Sequence, residues 1–253
     1  QWAVRIMHEV EMHESSSFLT LTYNKENILS DWSLDVSHFQ KFMKRYRKVS
    51  GKKIRFYHCG EYGEASGRPH YHAIIFGDDF EDKTEWKKEN GYQLWTSESL
   101  DRLWGLGFCS LGSVTFQSAA YVARYVLKKV KAQGEFSNVV YASDLGRYLK
   151  VKPEYATMSR RPGIGATWIE KYRSDAYPAD LVVMNGKAMK PPRYYDQCAL
   201  SDQGPGLSSD ASRTKGKRKR AALEFAHDNT PERLKVKETV KKAELAIFGG
   251  RTL

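Results

Sequence analysis

Hydrophobic and polar positions follow two rhythms along the first half of the chain. Ser17 to Tyr23 reads SFLTLTY, a short β-rich alternation bounded by Ser and Asn, and predicts a strand. Asp35 can cap a helix whose apolar positions Val36, Phe39, Met43 and Tyr46 recur at helical spacing. Lys41, Lys44, Arg45 and Lys48 lie on its other face, read as solvated in preference to phosphate-contacting. Gly51 closes that helix. Ile54 to Glu61 and His70 to Phe76 predict two further strands, joined by the turn-rich GEYGEASGRP. Residues 78–104 are polar and read as an insertion before a weak strand, Gly107 to Thr115. Ser118 is expected to cap a helix running to about Lys131. The resulting order of strand, helix, strand, strand, insertion, strand, helix predicts an α+β fold, a split βαβ, ferredoxin/RRM-like antiparallel sheet with flanking helices.

The periodicity weakens after residue 133. Gly165 to Tyr172 suggests a short helix, and Asp180 to Met189, with Asn185-Gly186 at its centre, suggests a hairpin. Ser201 to Ser212 is rich in Gly, Ser and Asp. The basic RTKGKRKR follows at 213–220, and Thr230-Pro231 marks a later helix start. We therefore expect a main domain over residues 1–175, a hairpin-like extension over 176–200, a basic flexible linker over 201–220 and a helical segment over 221–253. Trp2, Arg5, Glu9 and Met12 form a helix-like pattern that is already under way at Gln1, which leads us to expect a segment upstream.

Composition narrows the partner more than the fold. At 253 residues with 41% hydrophobic and 13% aromatic content, the chain suits a globular domain. Its net charge of +11 favours an anionic partner, nucleic acid or an acidic membrane surface, although an unspecific basic surface has the same signature. No apolar run approaches the roughly 20 residues that span a bilayer, so no membrane partner is expected. Cys59, Cys109 and Cys198 are widely separated and match neither a disulfide framework nor a paired-cysteine zinc pattern, which fits a reducing compartment.

Two clusters carry chemistry. In RPHYH, residues 68–72, strand alternation puts His70 and His72 on one face and Tyr71 on the other. Two imidazoles so spaced can share a metal ion, though such a pair also arises by chance. If the flanking strands pair across the Gly-rich loop, Glu61 comes beside the histidines and completes a mixed site with positions open to water or phosphate oxygens. Glu64, deeper in the loop, is the rival carboxylate. His58, on the opposite face from Glu61, reads as a buried, hydrogen-bonded histidine. The second cluster is YVARYVLKK, residues 121–129, where Tyr121, Tyr125 and Lys128 form one helical stripe. The apolar stripe (Ala119, Val122, Ala123, Val126, Val130) is a different one. On spacing alone the tyrosines read as packing residues; the metal candidate upstream turns the balance toward chemistry.

Together these features resemble the HUH endonuclease superfamily. FLTLTY (18–23) is similar to its first motif, RPHYH to its second, and Tyr121, Tyr125 and Lys128 to its third. Histidines before tyrosines is the order of the replication initiators. FLTLTYN, GEYGEASGRPHYHAIIFG and AAYVARYVLKK are most similar to initiators of microviruses, the gokushovirus-like group, over residues 1–175. The resemblance implies a divalent ion, Mg²⁺ or Mn²⁺, at Glu61, His70 and His72, with Tyr125 and Tyr121 as nucleophiles and Lys128 stabilising charge. Expected DNA contacts are Arg68, Thr20, Thr22 and Arg124. The implied reaction nicks single-stranded origin DNA and leaves a 5′-phosphotyrosine in rolling-circle replication. The sequence has no P-loop motif, so a host helicase and polymerase are the implied partners, in the cytoplasm of a bacterial host.

Other features stay open. Trp86, Trp95 and Trp104 can stack on bases, but packing is the preferred reading. RTKGKRKR fits phosphate contact and a solvated tail about equally. PGIG (162–165) reads as a turn ahead of a phosphate cradle. Three rival functions remain: an HUH transposase or plasmid initiator, a metal-dependent nuclease using water, and a non-catalytic single-stranded DNA-binding module.

Overall fold

A computed structural model describes residues 1–131, 138–177, 179–201 and 207–248, except for the side chains of 125–131, 200–201, 207–211 and 245–248. The chain divides into two compact units between Lys171 and Tyr172, four residues before the boundary expected from sequence.

The first unit begins with α1 (Trp2–Val10) and β1 (Ser16–Thr22), followed by α2 (Val36–Ser50), β2 (Arg55–Tyr62) and β3 (Pro69–Phe76). Next come β4 (Thr84–Glu89), β5 (Tyr92–Thr96), α3 (Glu98–Trp104), β6 (Cys109–Gly112) and α4 (Phe116–Lys131). The hairpin β7 (Val139–Ala142) and β8 (Arg147–Lys150), then β9 (Tyr155–Met158) and α5 (Ala166–Lys171), complete it. Seven strands form one sheet in the order β4-β5-β6-β1-β3-β2-β9, with every pairing antiparallel. Its centre, β6-β1-β3-β2, has the strand order of a ferredoxin-like split βαβ.

Local chemistry sets the helix ends. The Asp35 side chain accepts from the Ser37 N–H, and Gly51 closes α2 at φ 66°, a left-handed conformation that glycine adopts without steric cost. Thr115, not Ser118, caps α4. Its Oγ1 accepts from the Ser118 N–H while Ser118 Oγ accepts from the Thr115 N–H, a reciprocal pair with Ser118 in the capping-box partner's place.

Alternation along the strands divides the core into two layers. Leu19, Leu21, Tyr71, Ala73, Ile75, Cys109 and Leu111 pack with Phe39, Phe42 and Met43 of α2 and Leu100, Leu103 and Trp104 of α3. Trp104 is thus fully buried, and its indole N–H donates to the Thr22 carbonyl. On the opposite face Phe18, Tyr57, Cys59, Ile74 and Phe76 pack with Ile6 of α1 and Ala119 and Val122 of α4. Residues 78–104 are therefore more than an insertion. They extend the sheet by two strands and supply α3, the second helix beside α2.

His58 is fully buried on the α2 side. Its ring stacks 3.5 Å from Phe39, and its two nitrogens hydrogen-bond Thr157 Oγ1 (2.8 Å) and Tyr155 OH (3.2 Å). Burial holds its pKa down at about 3. The folded state therefore binds fewer protons than the unfolded state below about pH 6.5. His58's contribution is complete above that pH and is lost as pH falls toward about 3. Urea titrations between pH 7 and pH 4 should show stability falling by up to about 1.4 kcal/mol per pH unit from this group. His58→Gln should flatten the acid limb; an unchanged slope would show that His58 is not the titrating group.

The second unit contains α6 (Arg173–Ala176), the hairpin β10 (Val182–Met184) and β11 (Lys187–Met189), α7 (Arg193–Ser201), α8 (Leu207–Glu224) and α9 (Pro231–Phe248). Asn185 and Gly186 both have positive φ, as a tight two-residue hairpin turn requires. The expected flexible linker over 201–220 is largely helix α8, and it contains the basic run. Lys, Arg and Ala are good helix formers, and tertiary contacts offset the cost of Gly216. Thr214 is buried, and Arg218 donates from Nε to Asp180 and from Nη1 to Asp196, both at 2.7 Å. No helix among the described residues is long and apolar enough to cross a membrane.

Candidate metal and tyrosine site

The site lies where the second face of the sheet emerges from under α4. Antiparallel register sets Glu61 of β2 directly opposite His70 of β3, with Thr22 of β1 on the far side of His70. One pleat along, Cys59, His72, Thr20 and Ser110 form the next row. Cross-strand neighbours share a face, so Glu61, His70 and His72 converge. Their ligating atoms lie within 4.8 Å of one another, the one such group of His, Cys, Asp and Glu among the described residues. Glu64 is exposed in the loop and lies outside this group.

Three donors meet at one oxygen. His70 Nε2 and His72 Nε2 each lie 2.8 Å from Glu61 Oε1, and the Tyr121 hydroxyl donates to the same atom at 2.5 Å. The other nitrogen of each ring is engaged elsewhere. His70 Nδ1 contacts the Arg68 carbonyl at 3.1 Å, and His72 Nδ1 contacts Thr20 Oγ1 at 3.0 Å. A carbonyl can only accept, so His70 carries a proton on Nδ1 and points Nε2 into the site, the arrangement that orients imidazole ligands on a metal. Phe18 stacks on His72 with centroids 5.3 Å apart, and the Tyr121 ring meets His72 edge-on at 5.2 Å.

The electrostatics call for positive charge at this point. Burial alone would raise the Glu61 pKa, but hydrogen bonds and charge from His70 and His72 prevail and hold it near 2. Burial acts to lower His70, yet Glu61 raises it overall; His72 is deeper, and burial there keeps its pKa low. The Tyr121 phenol is pushed up, first by burial and then by the Glu61 charge, with Arg124 opposing. Two imidazoles and a buried carboxylate with adjacent ligating atoms fit a divalent cation, which would supply the charge that Glu61 now draws from its neighbours.

The expected DNA contacts have varied surroundings. Thr20 supports His72, and Thr22 Oγ1 donates to the Phe108 carbonyl at 2.7 Å. Arg68 pairs with Asp144 and donates to the Tyr23 carbonyl, while Arg124 is exposed with its guanidinium 5.1 Å from the Tyr121 ring centroid. Tyr125 and Lys128 lie further along α4, and their side chains fall outside the described residues. PGIG forms no cradle for a ligand, because the Gly165 N–H donates to the Glu9 carboxylate at 2.6 Å. The support of His72 by Thr20 was missed from sequence. Its only trace there is the alternation that puts Thr20 and Thr22 on the face opposite Leu19 and Leu21. Tyr71, between the histidines, is fully buried on the α2 side, where its hydroxyl accepts from the Asp35 N–H, donates to the Asp35 carbonyl and contacts Tyr23 OH at 2.7 Å.

This sheet and site are those of a replication-associated protein. Residues 16–130, which run from β1 through most of α4, match the family of the replication-associated protein ORF2. More narrowly, the chain belongs with the microvirus-type, gokushovirus-like replication initiators. It is 37% identical over 203 residues to the replication-associated protein VP4 of Bdellovibrio phage phiMH2K, covering 76% of this chain and 60% of that one. It is 32% identical to the replication-associated protein ORF2 of Spiroplasma virus 4, covering 78% of this chain and 62% of that one. With the replication-associated protein ORF4 of Chlamydia phage 1 it shares 31% identity over 76% of this chain and 48% of the relative. The chain thus spans about three fifths of the length of the first two relatives and about half of the third. No solved structure matches it.

Proposed function

We propose that this chain is an HUH-type nicking enzyme that cuts single-stranded origin DNA with a tyrosine and stays joined to the 5′ end. The observation that carries the proposal is the convergence of Tyr121, His70 and His72 on one oxygen of Glu61, within the stretch that matches the replication-associated family. In the reaction, a deprotonated tyrosine oxygen attacks the scissile phosphorus. A P–O bond to tyrosine forms as the P–O3′ bond breaks, and the departing 3′ oxygen takes up a proton. A divalent ion, Mg²⁺ or Mn²⁺, held by Glu61, His70 and His72 would supply positive charge to the phosphate oxygens and to the phenolate.

The protein's own groups do the positioning. Thr20 and the Arg68 carbonyl hold the two imidazoles in place. α4 holds Tyr121 against them, and Arg124 lies over its ring to favour the phenolate. Tyr125 and Lys128 are proposed as the alternate nucleophile and a charge-stabilising cation. One helical turn separates the tyrosines, about 6 Å, so one phosphate site serves both, as successive cuts in rolling-circle replication require. Thr22 and Arg68 are proposed DNA contacts. The proposed setting is a bacterial host's cytoplasm, with helicase and polymerase from the host.

The test is a labelled single strand with a candidate origin, incubated with Mn²⁺ and run under denaturing conditions. The expected product is a DNA–protein band that survives denaturant, disappears with EDTA and is absent from a Tyr121→Phe/Tyr125→Phe double variant. The single variants assign the two roles. Cleaved DNA without a covalent band would make water the nucleophile and overturn the tyrosine mechanism.

A further inference from the structure

The face that carries the site continues past β1 to an exposed aromatic patch. Thr22, opposite His70 in register, also donates its backbone N–H to the Phe108 carbonyl at 3.0 Å. Since Thr20 pairs with Ser110 and Leu21 with Cys109, the side chain of Phe108 lies on the same face as Thr22 and His70. Two strand spacings, about 10 Å, separate it from the histidines. Gly107 makes this approach possible: a Cβ there would lie 2.4 Å from the Thr22 oxygen and the Asn24 nitrogen. Trp86, at the bulge of β4, meets Phe108 edge-on with centroids 4.8 Å apart. Both rings are close to half exposed, 46% for Trp86 and 43% for Phe108. Lys87 holds its ammonium 4.4 Å from the Trp86 ring centroid, and Lys88 beside it is exposed.

We propose that Trp86 and Phe108 form a base-stacking platform for the single strand whose phosphate reaches the Glu61–His70–His72 site, with Lys87 contacting its backbone. The inference rests on the proposed function and adds the path of the substrate. Packing does not account for the pair, because the core on this face is filled by α1 and α4, whereas Trp86 and Phe108 stand clear of that cluster. An aromatic surface with adjacent ammonium groups, continuous with a phosphate-directed site in a chain of charge +11, suits unpaired bases, whose rings stack without sequence preference.

The experiment measures binding of the full chain to a labelled oligothymidylate by fluorescence anisotropy. It is done in EDTA, so that it does not depend on cleavage. A strand of equal length with abasic positions and a duplex of equal length serve as comparison. Trp86→Ala and Phe108→Ala should each weaken binding to the normal strand by about 5- to 150-fold. They should change binding to the abasic strand and the duplex little, and Trp86→Phe should retain most of the affinity. Binding by the double alanine variant within twofold of the parent would overturn the platform. So would an equal loss on normal and abasic strands, which would mean phosphate contact only. So would a parent dimer in sedimentation that the variant breaks without changing DNA affinity, which would mean a self-association surface. A parent that binds bases through this pair but never forms a covalent adduct would leave the platform standing and remove the nicking mechanism.

Discussion

His72→Ala is expected to lower the rate of origin cleavage by at least about 10²–10³-fold while leaving affinity for single-stranded DNA within about threefold. The first figure is what loss of one preorganised electrostatic group at a reacting centre costs. His72 contributes one of the two imidazole nitrogens at Glu61 Oε1, and Thr20 and Phe18 fix its ring. Alanine removes a ligand and leaves the carboxylate short of a partner. Binding should survive because affinity for DNA comes mostly from phosphate contacts spread over a basic surface, which this substitution does not touch. Glu61→Gln should act in the same direction: it keeps the shape but removes the negative charge on which three groups converge. Single-turnover cleavage with excess Mn²⁺, beside anisotropy at fixed salt, separates the two effects. A thermal melt of each variant guards against loss of fold. Cleavage by His72→Ala at the parent rate would remove the metal site from the mechanism.

The histidine site was legible in the sequence because strand alternation is a strict rule. Spacing put His70 and His72 on one face, and the Gly-rich loop implied the pairing that brought Glu61 opposite His70. The same rule separated His58 from them, and the structure has it buried and hydrogen-bonded. The tyrosine stripe was legible as a stripe distinct from the apolar face of α4, and Tyr121 falls at the site. Less could be read between β3 and β6. β4 is exposed at every position, so it has no apolar alternation to find, and α3 spans only seven residues, too few to establish a helical period. The three tryptophans illustrate the limit. Trp104 is core and Trp86 is surface, and no local pattern distinguishes an aromatic that packs from one that waits for a partner. α8 was misread because composition registers Gly and Ser as linker, whereas a buried Thr214 and the pairing of Arg218 with Asp180 and Asp196 are long-range facts.

Glu9→Ala is expected to destabilise the first unit by about 3–5 kcal/mol, the usual cost of removing one partner from a buried ion pair. Against a total stability of roughly 5–15 kcal/mol, that would leave the chain marginal. Glu9, on α1, is 1% exposed. Its Oε1 accepts from Arg55 Nε at 2.5 Å and its Oε2 from the Gly165 N–H at 2.6 Å, while Arg55 also donates to the Pro162 carbonyl. One carboxylate thus joins α1, the start of β2 and the turn before α5. Burial would raise its pKa, but hydrogen bonds from His13, Gly165 and Arg55 and the Arg55 charge bring it below the usual value, so the pairing prevails over desolvation. Alanine leaves a guanidinium and a backbone N–H without their acceptor. Arg55→Met in the same background should recover part of the loss, because the uncompensated charge goes with it; the double-mutant cycle in urea measures the coupling. The effect should also reach the chemistry. α1 and α4 share one core cluster through Ile6, Ala119 and Val122, so a loosened α1 frees the helix that holds Tyr121 against Glu61. Cleavage by Glu9→Ala should therefore fall at temperatures where the fold still persists. A destabilisation below about 1 kcal/mol with no change in cleavage would show that α1 is held by its apolar face alone and that Glu9 has no part in positioning the tyrosine.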